Sequence, residues 1–326
     1  MPRLLGRRLA LGLLVLLSIA PLRAQLTFQF NYSLDSENFF SGDNIGRRQY
    51  LEAAGAYVSQ YFTATTLSAI APGVGGNSWD ATIYSPANPA AKVSLGNLTV
   101  PANTVIVYAG GTTLGGAVLA EAGPGGYDSA NGDTIWQNYT VPNRTLSASS
   151  LTRSAVGSVS FNSATSWFFD PTPQSNASFA DQYDFFTVAA HELLHVLGFG
   201  DPRPGSGWNK NLDLFNSGIF VGSKVFETNP DGIPLRKDPI DPLKKGDHWA
   251  TDTLSFSMRD GTSQQVLMDY DIWTGERKYL TTLDLRAMQD IGYPANFTAV
   301  PEPAAFGVGA GVISLVWAWR RRRAQS

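Results

Sequence analysis

Apolar and polar side chains alternate through LTFQFNY, residues 26–32, the two-residue period of a strand with one buried face. The period changes in IGRRQYLEAAGAYVSQYF, residues 45–62. There Leu51, Ala54, Val58 and Tyr61 share one face of a predicted amphipathic helix. Residues 63–102 are rich in Gly, Pro, Asn and Ser and carry no clear period. TVIVYAG, residues 104–110, is an unbroken apolar run, as expected of a strand covered on both faces. GGAVLAEAGPGGY, residues 115–127, predicts a further strand bounded by glycines, and another is expected at Val159–Phe161 with aromatic residues behind it. From Asp184 the period is helical, with Asp184 as N-cap and Gly198 as stop, giving a helix of about fourteen residues. A long irregular stretch, 199–264, follows, and LTTLDLRAMQDIGY, residues 280–293, predicts a capped C-terminal helix ending at Gly292.

Both chain ends depart from this globular pattern. Residues 1–24 combine a basic start, an apolar run from Leu9 to Ala20 and the small residue Ala24, the pattern of a cleaved signal peptide. The apolar core is too short for a stable membrane span. Residues 300–326 hold Pro301-Glu302-Pro303, an apolar stretch from Ala304 to Trp319 and the cluster Arg320 to Arg323. An apolar segment closed by arginines is retained in a membrane with its charges on the cytoplasmic side. The catalytic chemistry is therefore expected within residues 25–299.

Composition narrows the chemistry. The 326 residues include no cysteine, which excludes disulfides, thiolate metal ligands and a cysteine nucleophile. Without the two ends, Lys and Arg fall from 24 to 16 and acids from 27 to 26, leaving −10. A domain so acidic is a poor partner for nucleic acid.

Within the predicted helix lies HELLHVLGFGD, residues 191–201. Four-residue spacing puts His191 and His195 on one helical face, so both imidazoles can reach one metal ion. Glu192, rotated by about 100°, cannot ligate with them but can touch a water on that metal. Zinc would lower the pKa of such a water and polarise a carbonyl, while Glu192 acts as general base. Gly198 can adopt positive φ and turn the chain beneath the site, where a third protein ligand is needed.

The motif resembles that of the metzincin metallopeptidases, in which HExxHxxG precedes a third ligand and a methionine-bearing turn. The commonest arrangement nominates Asp201, although its GFGDPRPGSG context is a turn composition in which Asp needs no metal. The leishmanolysin-like branch instead places its third ligand in a delayed His-Trp pair, which nominates His248, the remaining histidine, followed by Trp249. Met268 in VLMDYD is then the turn methionine, and Tyr270 matches a tyrosine that some branches use to stabilise the transition state. The resemblance implies an α+β, metzincin-like zincin fold: a twisted mixed β-sheet with helices, an active-site helix and an irregular C-terminal subdomain. It also implies an edge strand near residues 115–122 that binds an extended peptide.

The last residues resemble a PEP-CTERM sorting tail, which implies export across a Gram-negative inner membrane, recognition by an exosortase-type enzyme, and residence in the envelope or extracellular matrix. The combined expectation is an exported zinc endopeptidase acting on protein or peptide substrates. The alternative is a matrix or surface protein that keeps the fold without turnover; the intact Glu192 argues against it. Two acid-rich loops, LDSENFFSGDN and NPDGIPLRKDPIDP, raise calcium binding, but they lack the alternation of a recognised calcium loop and read as solvated turns.

Overall fold

The computed structural model describes residues 25–62, 67–141, 154–170, 172, 175, 178–213, 218–236 and 246–297. The expected signal peptide and sorting tail lie outside the described residues. The strands are β1 (Thr27–Asn31), β2 (Ser78–Ser85), β3 (Asn88–Gly96), β4 (Thr104–Thr112), β5 (Ala120–Pro124), β6 (Gly126–Asn131), β7 (Val156–Asn162), β8 (Trp167–Phe168), β9 (Tyr183–Asp184), β10 (Ile219–Phe220), β11 (Ile233–Pro234), β12 (Leu254–Phe256) and β13 (Ser263–Gln265). The α-helices are α1 (Arg48–Ser59), α2 (Phe185–Leu197), α3 (Gly207–Lys210), α4 (Ser223–Phe226) and α5 (Thr282–Asp290).

The fold is mixed α+β. Its principal sheet has the order β1-β4-β7-β5, with β1, β4 and β7 parallel and β5 an antiparallel edge. The continuous apolar run of β4 has a direct cause. Val105, Val107 and Ala109 face a core shared with α1 and α2, while Ile106 and Tyr108 face a second core. A strand buried on both faces loses the polar alternation that a half-solvated strand keeps.

Above the second core lies a three-stranded sheet of order β3-β2-β6. Trp79, Ala81 and Ile83 of β2 point inward, and the strand runs past the end of β6 to form a hairpin with β3. This hairpin occupies part of the region without sequence period, because β3 is exposed or half-buried throughout. Residues 115–127, expected to hold one strand, hold most of β5 and the start of β6, in two different sheets. Between them Gly125 passes so close to Thr82 and Val156 that a side chain there would collide with backbone.

Below the principal sheet, α1 buries Leu51, Ala54 and Val58 on the expected face. α2 is apolar on nearly every side and runs through the core. The stretch expected to be irregular contains only short elements, α3, α4 and β10 to β13 among them. α5 begins with a capping box between Thr281 and Asp284, and Gly292 turns the chain at a φ of 107°. Among the described residues no helix is long and apolar enough to cross a membrane.

Candidate metal centre

The N-terminus of α2 is fixed by Asp184, whose carboxylate accepts hydrogen bonds from the Thr187 amide at 3.1 Å and hydroxyl at 2.7 Å. Arg277 grips the same carboxylate through Nε at 2.9 Å and Nη2 at 2.7 Å, and also reaches Asp170. One turn apart on the buried helix, His191 and His195 then face a cleft of about 910 Å³.

At the other end of α2, Gly198 has a φ of 106°, and its amide and that of Phe199 bond back to His195 and Leu194. The reversal brings the Phe199 carbonyl within 2.9 Å of His195 Nδ1. Thus the glycine required to end the helix also supplies the partner that orients a candidate ligand.

His248 comes from a loop and is held by its neighbours. Trp249 is fully buried among Phe199, Trp208 and Phe220, and donates its indole N–H to Asp284 Oδ1 at 3.0 Å. The loop backbone presses on Gly200, where a Cβ would lie 2.3 Å from the Asp247 carbonyl oxygen. Asp284 also accepts from the Leu267 amide at 3.0 Å, tying the segment that contains Met268 to the same carboxylate. Met268 is wholly buried, and its carbonyl accepts from the Trp249 amide at 3.1 Å.

These supports bring the three histidines together. Their Nε2 atoms are separated by 3.0 Å for His191 and His248, and by 3.1 Å for each of the other two pairs. His191 Nδ1 lies 2.8 Å from the Leu267 carbonyl, His195 Nδ1 2.9 Å from that of Phe199, and His248 Nδ1 2.6 Å from the Asp247 carboxylate. Because carbonyl and carboxylate oxygens only accept, each Nδ1 carries the proton and each Nε2 presents a lone pair. Three converging lone pairs repel one another unless a cation lies between them, so the donor set fits a metal ion. The three residues can hold one; imidazole nitrogens suit zinc, copper, iron or nickel.

The electrostatics favour the ligand form. Burial, reinforced by the neighbouring imidazoles, holds His191 well below its ordinary range and His195 down to about 4, so both are neutral near pH 7. Desolvation works against the Asp247 charge, but the bond to His248 and the nearby imidazoles hold its carboxyl below the usual range. Glu192 is buried at the cleft and makes no hydrogen bond to a described residue. Burial, with Glu121 and Asp247 adding to it, pushes its carboxyl up to about 8; a dication in the triangle would act in the opposite direction.

Asp201 has a different task. Its Oδ1 accepts from the Arg203 amide at 3.1 Å and Nε at 2.9 Å, and it is absent from the metal-competent group. It closes the turn after α2, as its sequence context allowed. Tyr270 stands beside the histidines, its ring centroid 5.4 Å from that of His248 in an edge-to-face contact, and the Arg236 guanidinium lies over its ring. Sequence reasoning missed Asp247 and Asp284. An acid adjoining the third histidine was the available signal for the first, and a capping-box acid after the methionine for the second.

Asp35 in the first acid-rich loop accepts from the Phe39 and Phe40 amides and closes a turn; the second loop lies partly outside the described residues. Among the described residues the histidine trio is the group of His, Asp and Glu side chains that could hold a metal ion. Compared with known families and with curated proteins, the chain matches no family model and no curated relative.

Proposed function

We propose that this protein is an exported zinc endopeptidase with a metzincin-like fold of the leishmanolysin-like type. The observation that carries the reading is the convergence of three Nε2 lone pairs beside a buried Glu192 that has no hydrogen-bond partner among the described residues, at a cleft bordered by a sheet edge. Zinc fits the donor set because tetrahedral Zn–N bonds of about 2.0–2.1 Å separate their nitrogens by roughly 3.3 Å, close to the triangle described above. In such a site zinc supplies Lewis acidity, which makes water nucleophilic near neutral pH and polarises a carbonyl.

Each residue then has a defined part. His191, His195 and His248 hold the ion, and the Asp247 carboxylate keeps His248 in the tautomer that offers Nε2. A Glu192 carboxylate oxygen takes a proton from the attacking water and delivers it to the departing amine. Tyr270 donates its hydroxyl to the carbonyl oxygen as charge develops, a role supported by its ring lying 5.4 Å from that of His248. Met268 belongs to the turn beneath the site and supports it through packing.

The free edge of β5 supports an extended peptide as substrate. The Leu119 carbonyl accepts from the Asn162 amide and the Gly125 amide donates to the Val156 carbonyl, which sets the alternation of the ladder with β7. Ala120 and Ala122 therefore direct their N–H and C=O groups outward, available to a strand laid along them. The terminal segments of the sequence support delivery to the envelope or extracellular matrix by export and exosortase-type sorting.

The test is peptide cleavage by the protein with zinc, after chelation, and with Glu192→Gln. Chelation should abolish cleavage and stoichiometric zinc restore it. Glu192→Gln should keep zinc while kcat falls by about 10²–10⁴. Equal cleavage by all three would remove the enzyme reading and leave a non-catalytic surface protein.

A further inference from the structure

Near Glu192 the cleft carries the acids Glu121 and Asp247, which both act on its carboxyl, while Lys278 and Arg236 stand near the histidines outside the lining. The cations that line it are Lys92 and Arg203, and both belong to the end of the cleft near Pro124. Arg203 spans from Asp201 to the Pro124 carbonyl, which accepts from Nη2 at 3.3 Å. Its Nη1 has no partner among the described residues, and the side chain is 43% exposed. A Cβ on Gly126 would lie 3.8 Å from that Nη1, and Gly126 pairs with Thr82 of β2. Two residues farther along β2, on the same face, Tyr84 pairs with Lys92, whose ammonium has no anionic partner among the described residues. A guanidinium N–H pair without a described partner and an ammonium that stands 5.9 Å over the Tyr84 ring without a described anion therefore share one wall of the cleft, in a domain whose overall charge is strongly negative.

The sheet edge changes character at the same place. Pro124 has no N–H, and its outward carbonyl is already engaged by Arg203. Backbone pairing with an incoming strand consequently ends at Ala122. Beyond that point a substrate meets side-chain cations instead of a strand edge.

Building on the peptidase reading, we infer that the Pro124 end of the cleft is a subsite for an acidic side chain of the substrate, bound by Arg203 and Lys92. The guanidinium offers directed N–H donors to a carboxylate, and the ammonium adds a second charge. The preferred substrate is thus an extended segment with Asp or Glu outside the stretch paired with Ala120 and Ala122.

Binding and cleavage tests separate this inference from the reading beneath it. Fluorescently labelled peptides identical except for Asp, Ala or Lys at each position in turn are titrated into the Glu192→Gln protein with zinc, and the same peptides are offered to the wild type. At one position Asp should bind about five- to tenfold tighter than Ala, and Lys should bind weakest. The discrimination should shrink as salt screens it. Lys92→Glu should reverse the order of the Asp and Lys peptides at that position. Arg203→Gln should reduce the preference, and because Arg203 also braces Asp201, the Lys92 variant is the deciding one. Equal affinity of the Asp, Ala and Lys peptides at every position would overturn the subsite, even if the wild type cleaves them all. Discrimination that Lys92→Glu leaves intact would overturn it as well. Selective binding without wild-type cleavage would sustain the acidic subsite and remove the peptidase reading.

Discussion

The candidate metal centre is held by two regions of opposite construction. His191 and His195 stand on α2, where local hydrogen bonds, the Asp184 cap and the Gly198 reversal determine the geometry. His248 stands on a loop whose position depends on residues distant in sequence: Trp249 in an aromatic pocket, Asp284 at the start of α5, and the glycine backbone at Gly200. Two candidate ligands thus come with a helix, whereas the third is positioned only after tertiary packing is complete. Metal binding should therefore report on the packing of the loop more sensitively than on the helix.

The largest expected effect comes from removing the third imidazole. His248→Ala should weaken metal binding by more than about a hundredfold, while Asp201→Ala should retain a stoichiometric ion. Elemental analysis after dialysis against a weak chelator distinguishes them, and the reverse result would undo the assignment. Next is Asp284→Ala, which strands the Trp249 indole and the Leu267 amide. Each buried donor left unpaired costs about 1–3 kcal/mol, so urea unfolding should show a loss of roughly 2–6 kcal/mol together with weakened metal binding. A normal metal affinity in this variant would break the proposed link between α5 and the loop.

Smaller changes sharpen the contrast. Asp247→Asn should lower metal affinity by about 10–100-fold by loosening the orientation of His248, with little effect on global unfolding. Gly198→Ala places a side chain in open space and should cost only the positive-φ strain, about 1–2 kcal/mol. Gly200→Ala adds collision with the Asp247 backbone, so both its stability loss and its loss of metal affinity should exceed those of Gly198→Ala.

The smallest effect concerns pH. Burial disfavours the Asp170 carboxylate, but hydrogen bonds from Ser175 and Thr172 and the pairing with Arg277 outweigh it and lower its pKa. A depressed carboxylate contributes stability at pH values above its unfolded pKa, about 4, and loses that contribution as pH falls through the folded value. Stability measured below about pH 4 should drop, and Asp170→Asn should flatten that segment of the curve.

Legibility in the sequence follows the same division. Helices α1, α2 and α5 were readable because periodicity and caps are local. β4 was readable because burial on both faces leaves an apolar run. The β2–β3 hairpin escaped because β3 is exposed or half-buried and its composition is that of a loop. His191, Glu192 and His195 followed from helical spacing, whereas the choice between Asp201 and His248 rested on resemblance, since fifty intervening residues carry no spacing rule. Asp247 and Asp284 act through contacts formed only in three dimensions. A capping-box acid looks the same whether it serves one helix alone or also a distant indole.

The outward edge of β5 offers two residues, Ala120 and Ala122, before Pro124 ends the ladder. An unpaired strand is ordinarily a liability, because it can recruit copies of itself into a growing sheet. Here the available length is two residues, because Pro124 lacks an N–H and its carbonyl already accepts from Arg203. An edge of this length is too brief to serve as a seed for fibres.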